Sequence, residues 1–189
     1  MLRTLVVFVC GGLVGGLLVW KLPALGQTPA ASKQEAKTVD VAVMDADVTH
    51  LKGTVPTLSH VMADVAFQYS NLWFAAQHKN WPLASFYFNE TRGRIKWMLR
   101  INPNPKTPAG EVVNLQGIYD GLETSVVMSL KDAIDQKDSV KFVAAYKQMI
   151  ESGCYACHKS AGRPYLKPMI PTVQPQTMIN YDPDASWPK

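Results

Sequence analysis

The sequence is poor in the residues from which most zinc, thioredoxin-like or nucleic-acid-binding proteins are built. Cysteine occurs three times in 189 residues, as Cys10, Cys154 and Cys157, and histidine four times. A structural zinc site needs four Cys/His ligands in paired clusters, and there is no second cysteine pair to complete one; His50, His60 and His78 are scattered. Charge of one sign is scarce as well. The 19 Lys and Arg against 15 Asp and Glu give +4, and setting aside Arg3 and Lys21 of the N-terminal leader leaves 17 against 15, or +2. So small a surplus argues against a nucleic-acid partner, which calls for a strongly basic patch. Period-two alternation is also missing, so no sheet is expected, and a thioredoxin-type cysteine pair would lack its βαβ setting. What is plentiful is apolar mass. At 47% hydrophobic residues the chain has enough for a packed core and is not a disordered one.

Residues 4–20 form an uninterrupted apolar run between Arg3 and Lys21, followed by small residues around Gly26 and Ala30. This is the pattern of a secretory signal peptide; its 17 residues also reach the lower limit for a membrane-spanning anchor. Residues 1–26 are therefore read as a cleaved leader or an N-terminal membrane anchor. Either way the rest of the chain is exported, and the bacterial periplasm is the expected compartment. Residues 27–40, rich in Ala, Pro, Ser, Lys and Gln, read as a flexible linker. A folded domain is expected over 41–163. The last 26 residues, 164–189, contain six prolines and read as an irregular tail.

Within 41–163 the apolar residues recur with helical period in four stretches. The first spans 57–78, with Val61, Met62, Val65, Tyr69, Leu72 and Trp73 on one stripe and Thr57 as N-cap. The second begins at Asn80-Trp81-Pro82 and ends before Asn102-Pro103-Asn104-Pro105. The third covers 111–136. The fourth starts after Asp138 or Ser139 and carries Phe142, Tyr146, Met149, Ile150, Gly153 and Cys157 on one face. Short polar joins between four helices predict an all-α fold, an antiparallel up-down-up-down four-helix bundle.

The fourth stretch ends in Cys154-Tyr155-Ala156-Cys157-His158, the C-x-x-C-H attachment signature of c-type haem. Two thiols three residues apart on a helical turn can add to the two vinyl groups of one porphyrin. The next residue, His158, then supplies the proximal imidazole to the iron. A plain disulfide would leave His158 without a role. One covalent haem c is the expected cofactor.

The bundle topology locates candidates for the sixth iron position. The end of the fourth helix lies beside the start of the first, where Met62 sits five residues past Thr57, about 7.5 Å along the axis, on the interior stripe. His60 falls on the opposite face. Met169 and Met178 of the tail are rivals for the same position, and a haem with no sixth protein ligand is the remaining alternative. Tyr146 and Met149, two turns and one turn before the motif, are expected to line the porphyrin. Lys159, Arg163 and Lys167 are candidates for pairing with haem propionates or for a positive patch facing a redox partner.

The helical pattern with C-x-x-C-H at the end of its last helix resembles class II c-type cytochromes, the cytochrome c-prime and cytochrome c-556 group. Residues 138–158 are similar to that group's C-terminal helix. Residues 69–95, together with the run from Cys154 to Pro175, look like a less characterised set of exported bacterial monohaem proteins. The resemblance covers about residues 58–175, and C-x-x-C-H is its one highly specific motif. It implies a first-helix methionine, here Met62, as sixth ligand and a low-spin haem, as in the c-556-like members. The c-prime members have an apolar residue there and bind nitric oxide or carbon monoxide. The chain departs from the group in having Gly162, followed by Arg163, where a basic residue commonly stands four positions past the histidine, and in its long proline-rich tail. The expected activity is electron transfer with redox partner proteins and without substrate turnover. The alternatives are a five-coordinate gas-binding protein and a haem subunit of a membrane redox complex. By analogy with relatives the chain is a candidate homodimer.

Overall fold

The computed structural model describes residues 40–175 and 178–186. The leader and the linker, apart from Asp40, therefore lie outside the described residues, and from Ala42 onward the chain belongs to one compact unit. The fold is all-α, as the periodicity implies. No strand forms among the described residues; Lys106 and Val112 pair in a single antiparallel bridge. No helix among them is long and apolar enough to cross a membrane.

The elements are α1 (Val41–Thr54), α2 (Leu58–Gln77), α3 (Trp81–Ile101), α4 (Leu115–Leu122), α5 (Met128–Asp135), α6 (Ser139–Gln148) and α7 (Tyr155–Ser160). Wide π turns, Glu123–Val127 and Met149–Cys154, join α4 to α5 and α6 to α7 without a break. The four stretches read from the sequence thus correspond to α2, α3, α4–α5 and α6–α7. An additional helix, α1, precedes them. It lacks a clean apolar stripe, and none of its residues is buried. The third run starts at Leu115 rather than at 111. Residues 103–113 instead fold into a loop closed by Val113 N–H to Pro105 O (2.9 Å) and Thr107 N–H to Glu111 O (2.8 Å). Asn114 then caps α4 by accepting from Gly117 N–H at 2.8 Å.

The two tight reversals share one chemistry. After α2, Lys79 adopts φ 59°, and after α5, Lys137 adopts φ 54°. In each turn the next amide reaches back to the helix, Asn80 N–H to Ala75 O at 2.9 Å and Asp138 N–H to Ala133 O at 3.1 Å, which closes a Schellman motif. The same Asn or Asp then caps the following helix. Asn80 Oδ1 accepts from Leu83 N–H at 3.2 Å, and Asp138 Oδ1 from Val140 and Lys141 N–H, both at 3.0 Å. Three residues suffice to turn the chain because each turn residue serves two helix ends. Thr57, by contrast, occupies the cap position of α2 without capping. Its hydroxyl bonds the side chains of Ser59 (2.9 Å) and His60 (2.8 Å).

α2 packs along α3, α5 along α6, and the two π turns meet each other. Gly153 lies where they meet, and its missing side chain makes room for Met149 of its own turn. A Cβ there would lie 2.8 Å from Met149 Sδ and 3.6 Å from Val126 Cγ2 of the other π turn. The core is anchored by Val61, Leu72, Leu130, Phe142 and Tyr146, all essentially fully buried. Each such aliphatic or Phe side chain contributes about 1.5–3 kcal/mol on leaving water. Tyr69 of α2 and Tyr146 of α6 stack at 4.2 Å with an interplanar angle of 11°. Each phenol donates to the other's carbonyl, Tyr69 to Tyr146 O at 3.1 Å and Tyr146 to Tyr69 O at 2.9 Å. Burial first, then the neighbouring Cys154 thiol, pushes both phenols well above 10, with Tyr146 adding to the rise at Tyr69, so both stay neutral donors. The tail is irregular in backbone but not loose in packing. Tyr181 is buried against Phe74 and His78, donates to Asn71 Oδ1, and accepts on its carbonyl from Asn80 Nδ2 at 3.1 Å.

Candidate functional site

The end of the body that carries α7 encloses two cavities of about 890 and 260 Å³. They share Met62 and Ala66 of α2, Ile95 and Met98 of α3, Tyr119 of α4, and Cys157 and His158 of α7 as walls, so they form one cleft. Close-packed interiors leave few voids larger than a water molecule, whereas ligand sites fall in the range of about 300–1,000 Å³. The cleft has the size and the largely apolar lining of the second kind.

The sequence-derived candidates gather here, with two exceptions, Met178 and Lys159. Met62, Cys157 and His158 line both cavities. Cys154, Tyr146, Met149 and Met169 line the smaller one, and Arg163 the larger. Met178 lines neither and is fully exposed, so of the two tail rivals only Met169 reaches the cleft. His60 is exposed and lines neither cavity. Lys167 joins Arg163 at the wall of the larger cavity. Lys159 instead lies over the Tyr155 ring, 5.0 Å from its centroid, a cation–π contact on the outer side of α7.

The two thiols are unpaired. Burial, and to a lesser degree the neighbouring Cys157, pushes Cys154 up to about 12, and burial alone raises Cys157, so both are held as neutral thiols. The second π turn ends on Cys154 and carries Met149 and Gly153 into the cleft wall. α7 then spans the remaining residues of the motif.

His158 is fixed from outside the helix. Its Nδ1 lies 2.8 Å from Leu166 O. A carbonyl oxygen can only accept, so Nδ1 is the donor in this contact, and in the neutral ring the lone pair then sits on Nε2. The return of the tail that makes this contact is set by Gly162, which ends α7 at φ 70°. Arg163 N–H then bonds back to His158 O at 2.8 Å. A Cβ on Gly162 would meet Pro108 Cδ and Thr107 Cβ at 3.0 Å. Glycine at this position therefore answers both a left-handed backbone and the close approach of the 103–113 loop.

Sequence reasoning missed several walls. Ile95 and Met98 fall three apart on α3, and Tyr119 lies on the stripe of the third run, so helical periodicity could have found them. Leu166 acts through its carbonyl, which every residue type has, so nothing in its identity marks it. Behind Tyr119, Glu123 accepts from Arg92 Nε at 2.6 Å and lies 3.2 Å from Lys96 Nζ. Burial alone would raise Glu123, but these two cations and the nearby Tyr119 hydroxyl outweigh it and hold the carboxyl at about 2. No three His, Cys, Asp or Glu side chains converge among the described residues. Comparison of the chain with protein-family models, with curated proteins and with solved structures finds no match.

Proposed function

We propose that the chain is an exported monohaem c-type cytochrome that carries electrons, its helical runs forming the antiparallel four-helix bundle of the class II group. The observation that carries this reading is the 2.8 Å contact between His158 Nδ1 and Leu166 O. Nδ1–H donates to that carbonyl, so in the neutral ring the Nε2 lone pair is left for a metal, in a residue that lines an apolar cleft beside two thiols. A backbone carbonyl on the distant ring nitrogen is the usual outer-shell arrangement of a metal-ligating histidine; it fixes ring orientation and raises ligand basicity.

The residues present fit haem c. Cys154 and Cys157 would carry the two thioether attachments, His158 Nε2 the proximal position and Met62 Sδ the distal one. Haem, when bound, supplies a one-electron iron couple. The chain's own contribution is placement and environment. Ala66, Ile95 and Met98 supply an apolar wall that keeps water and its high dielectric away. Met62 offers a soft thioether, a ligand type that raises reduction potential. Arg163 and Lys167 at the wall of the larger cavity are suited to carboxylates at the haem edge or to an acidic face of a redox partner. With His158 and Met62 both holding the haem iron, the chain would carry electrons without turning over a substrate. The periplasm suits covalent haem attachment and agrees with the 4–20 run as leader or anchor.

Optical spectra of both oxidation states test this reading. The wild type is expected to be low-spin with a methionine–iron band that Met62→Ala abolishes and that Met169→Ala and Met178→Ala leave in place. Loss of the band in Met169→Ala instead would move the ligand to the tail. A high-spin wild type that binds carbon monoxide rapidly would replace electron transfer with gas binding.

A further inference from the structure

The tail leaves α7 at the cleft and is next held firmly at the other end of α2. Leu166, Lys167 and Pro168 wall the larger cavity beside Thr57 and Leu58, where α2 begins. Tyr181 sits where α2 ends, against Asn71, Phe74 and His78, which follow the i, i+3, i+7 spacing of one helix face. From Leu58 to Phe74 is about 24 Å of helix at the standard rise. Between these ends the segment has little hold of its own: Tyr165 and Met169 are each 69% exposed and Val173 78%. Among the described residues past Ala161, Tyr181 is the one that is buried.

The seat of Tyr181 is built from groups that need it. Asn71 is fully buried and commits its Nδ2 to Phe67 O at 2.9 Å, which leaves its Oδ1 for the Tyr181 hydroxyl. Asn80 spends its Oδ1 on capping α3 and its Nδ2 on Tyr181 O at 3.1 Å. Gln174 Nε2, between the two ends, lies 3.4 Å from His78 Nε2. Removing Tyr181 leaves Asn71 Oδ1 unpaired in the interior, a larger loss than the net worth of an ordinary hydrogen bond. The cleft end has no such hold. The contact of His158 Nδ1 with Leu166 O is exposed, so water competes for both groups. Arg163 N–H to His158 O (2.8 Å) and Leu166 N–H to Arg163 O (3.0 Å) shape the turn, yet no residue from 162 to 167 is buried. We propose that residues 163–175 are a strap latched at Tyr181, and that this latch keeps Leu166 O on His158. Tyr181 is thus a positioning residue for the histidine, acting from the opposite end of α2. The latch belongs to the chain itself; only its bearing on iron rests on the haem reading.

Two measurements on the purified full chain test this, whether or not it carries haem: hydrogen exchange of the 163–175 amides, and the His158 Nδ1–H resonance by heteronuclear NMR. In the wild type the Arg163 and Leu166 amides are expected to be protected and the Nδ1–H signal visible. Tyr181→Ala is expected to speed exchange across 163–175 by at least about tenfold, as for a locally opened segment, with the amides of α3 and α6 unchanged. The Nδ1–H signal is expected to broaden or vanish with it. Tyr181→Phe, which keeps the ring and loses the hydroxyl, is expected to fall between the two. Asn71→Leu removes the acceptor without touching the tail and is expected to release the strap as well. Phe142→Ala weakens the core without touching the latch and is expected to keep the Nδ1–H signal. A Tyr181→Ala chain whose strap exchange and Nδ1–H signal match the wild type overturns the proposal, because the local turn would then hold His158 unaided. Equal loss of the signal in Phe142→Ala also overturns it, because general destabilisation would then account for the effect.

Discussion

The aromatic middle of the helical body and its α7 end are built from the same helices on opposite principles. In the middle, α2 and α6 bring Tyr69 onto Tyr146, with Trp73, Phe142 and Trp81 around them, and every large side chain meets another. At the α7 end the same α2 presents Met62, Ala63 and Ala66, and the small residues leave a cleft of about 890 Å³. One helix thus switches from aromatic to small residues within three turns. The difference teaches what each end is for. The middle spends its apolar surface on stability, and the α7 end holds space open between an imidazole, two thiols and a thioether.

The sharpest way to break this comparison is to truncate one residue at each place. Phe142→Ala is expected to destabilise by about 3–5 kcal/mol, as for a fully buried aromatic. Met62→Ala in the haem-free chain is expected to cost only about 1 kcal/mol, because one side of it already faces the cleft. Equal costs in denaturant unfolding would mean that the cleft is ordinary core. Gly162→Ala comes next. Positive φ and the 3.0 Å approach of Pro108 and Thr107 together predict a loss of about 1–3 kcal/mol. In the haem-loaded protein this change should also disturb the absorption spectrum, since the same turn aims Leu166 O at His158.

Acid should act on the polar support behind Tyr119. Glu123 is held at about 2 against an ordinary 4.5, so its contribution to stability is complete above 4.5 and is lost as the pH falls towards 2. Glu123→Gln is expected to flatten that part of the stability–pH curve while leaving Phe142→Ala as costly as before. The smallest expected effect lies in the turns. Lys137→Gly relieves a left-handed lysine and should stabilise by about 0.5–1 kcal/mol, with Lys79→Gly doing the same at the other turn.

The aromatic middle was legible in the sequence because periodicity writes it directly. The first and second runs end within two residues of the helices they predict, and Asn80 and Asp138 mark helix starts by side-chain chemistry that a reader can recognise. The α7 end was legible only in its candidate ligands. Cys154, Cys157, His158 and Met62 are distinctive residue types, and all four border the cleft. What shapes them is not written in residue identity. Nothing in the residue types marks the π turn before Cys154, and the hold on His158 comes from a backbone carbonyl in a segment whose prolines signal only that it is not a helix. Gly162 looked like a departure from a family pattern; it is the residue that lets the tail return. α1 escaped notice because it lacks a clean apolar stripe, and none of its residues is buried.

The most direct test of the central claim is the mass and colour of the protein purified from a host that attaches haem c. The expected product is red, with a mass exceeding the polypeptide by one haem, and the Cys154→Ala/Cys157→Ala chain is expected to lose that added mass. A colourless wild-type product with the mass of polypeptide alone would contradict the account.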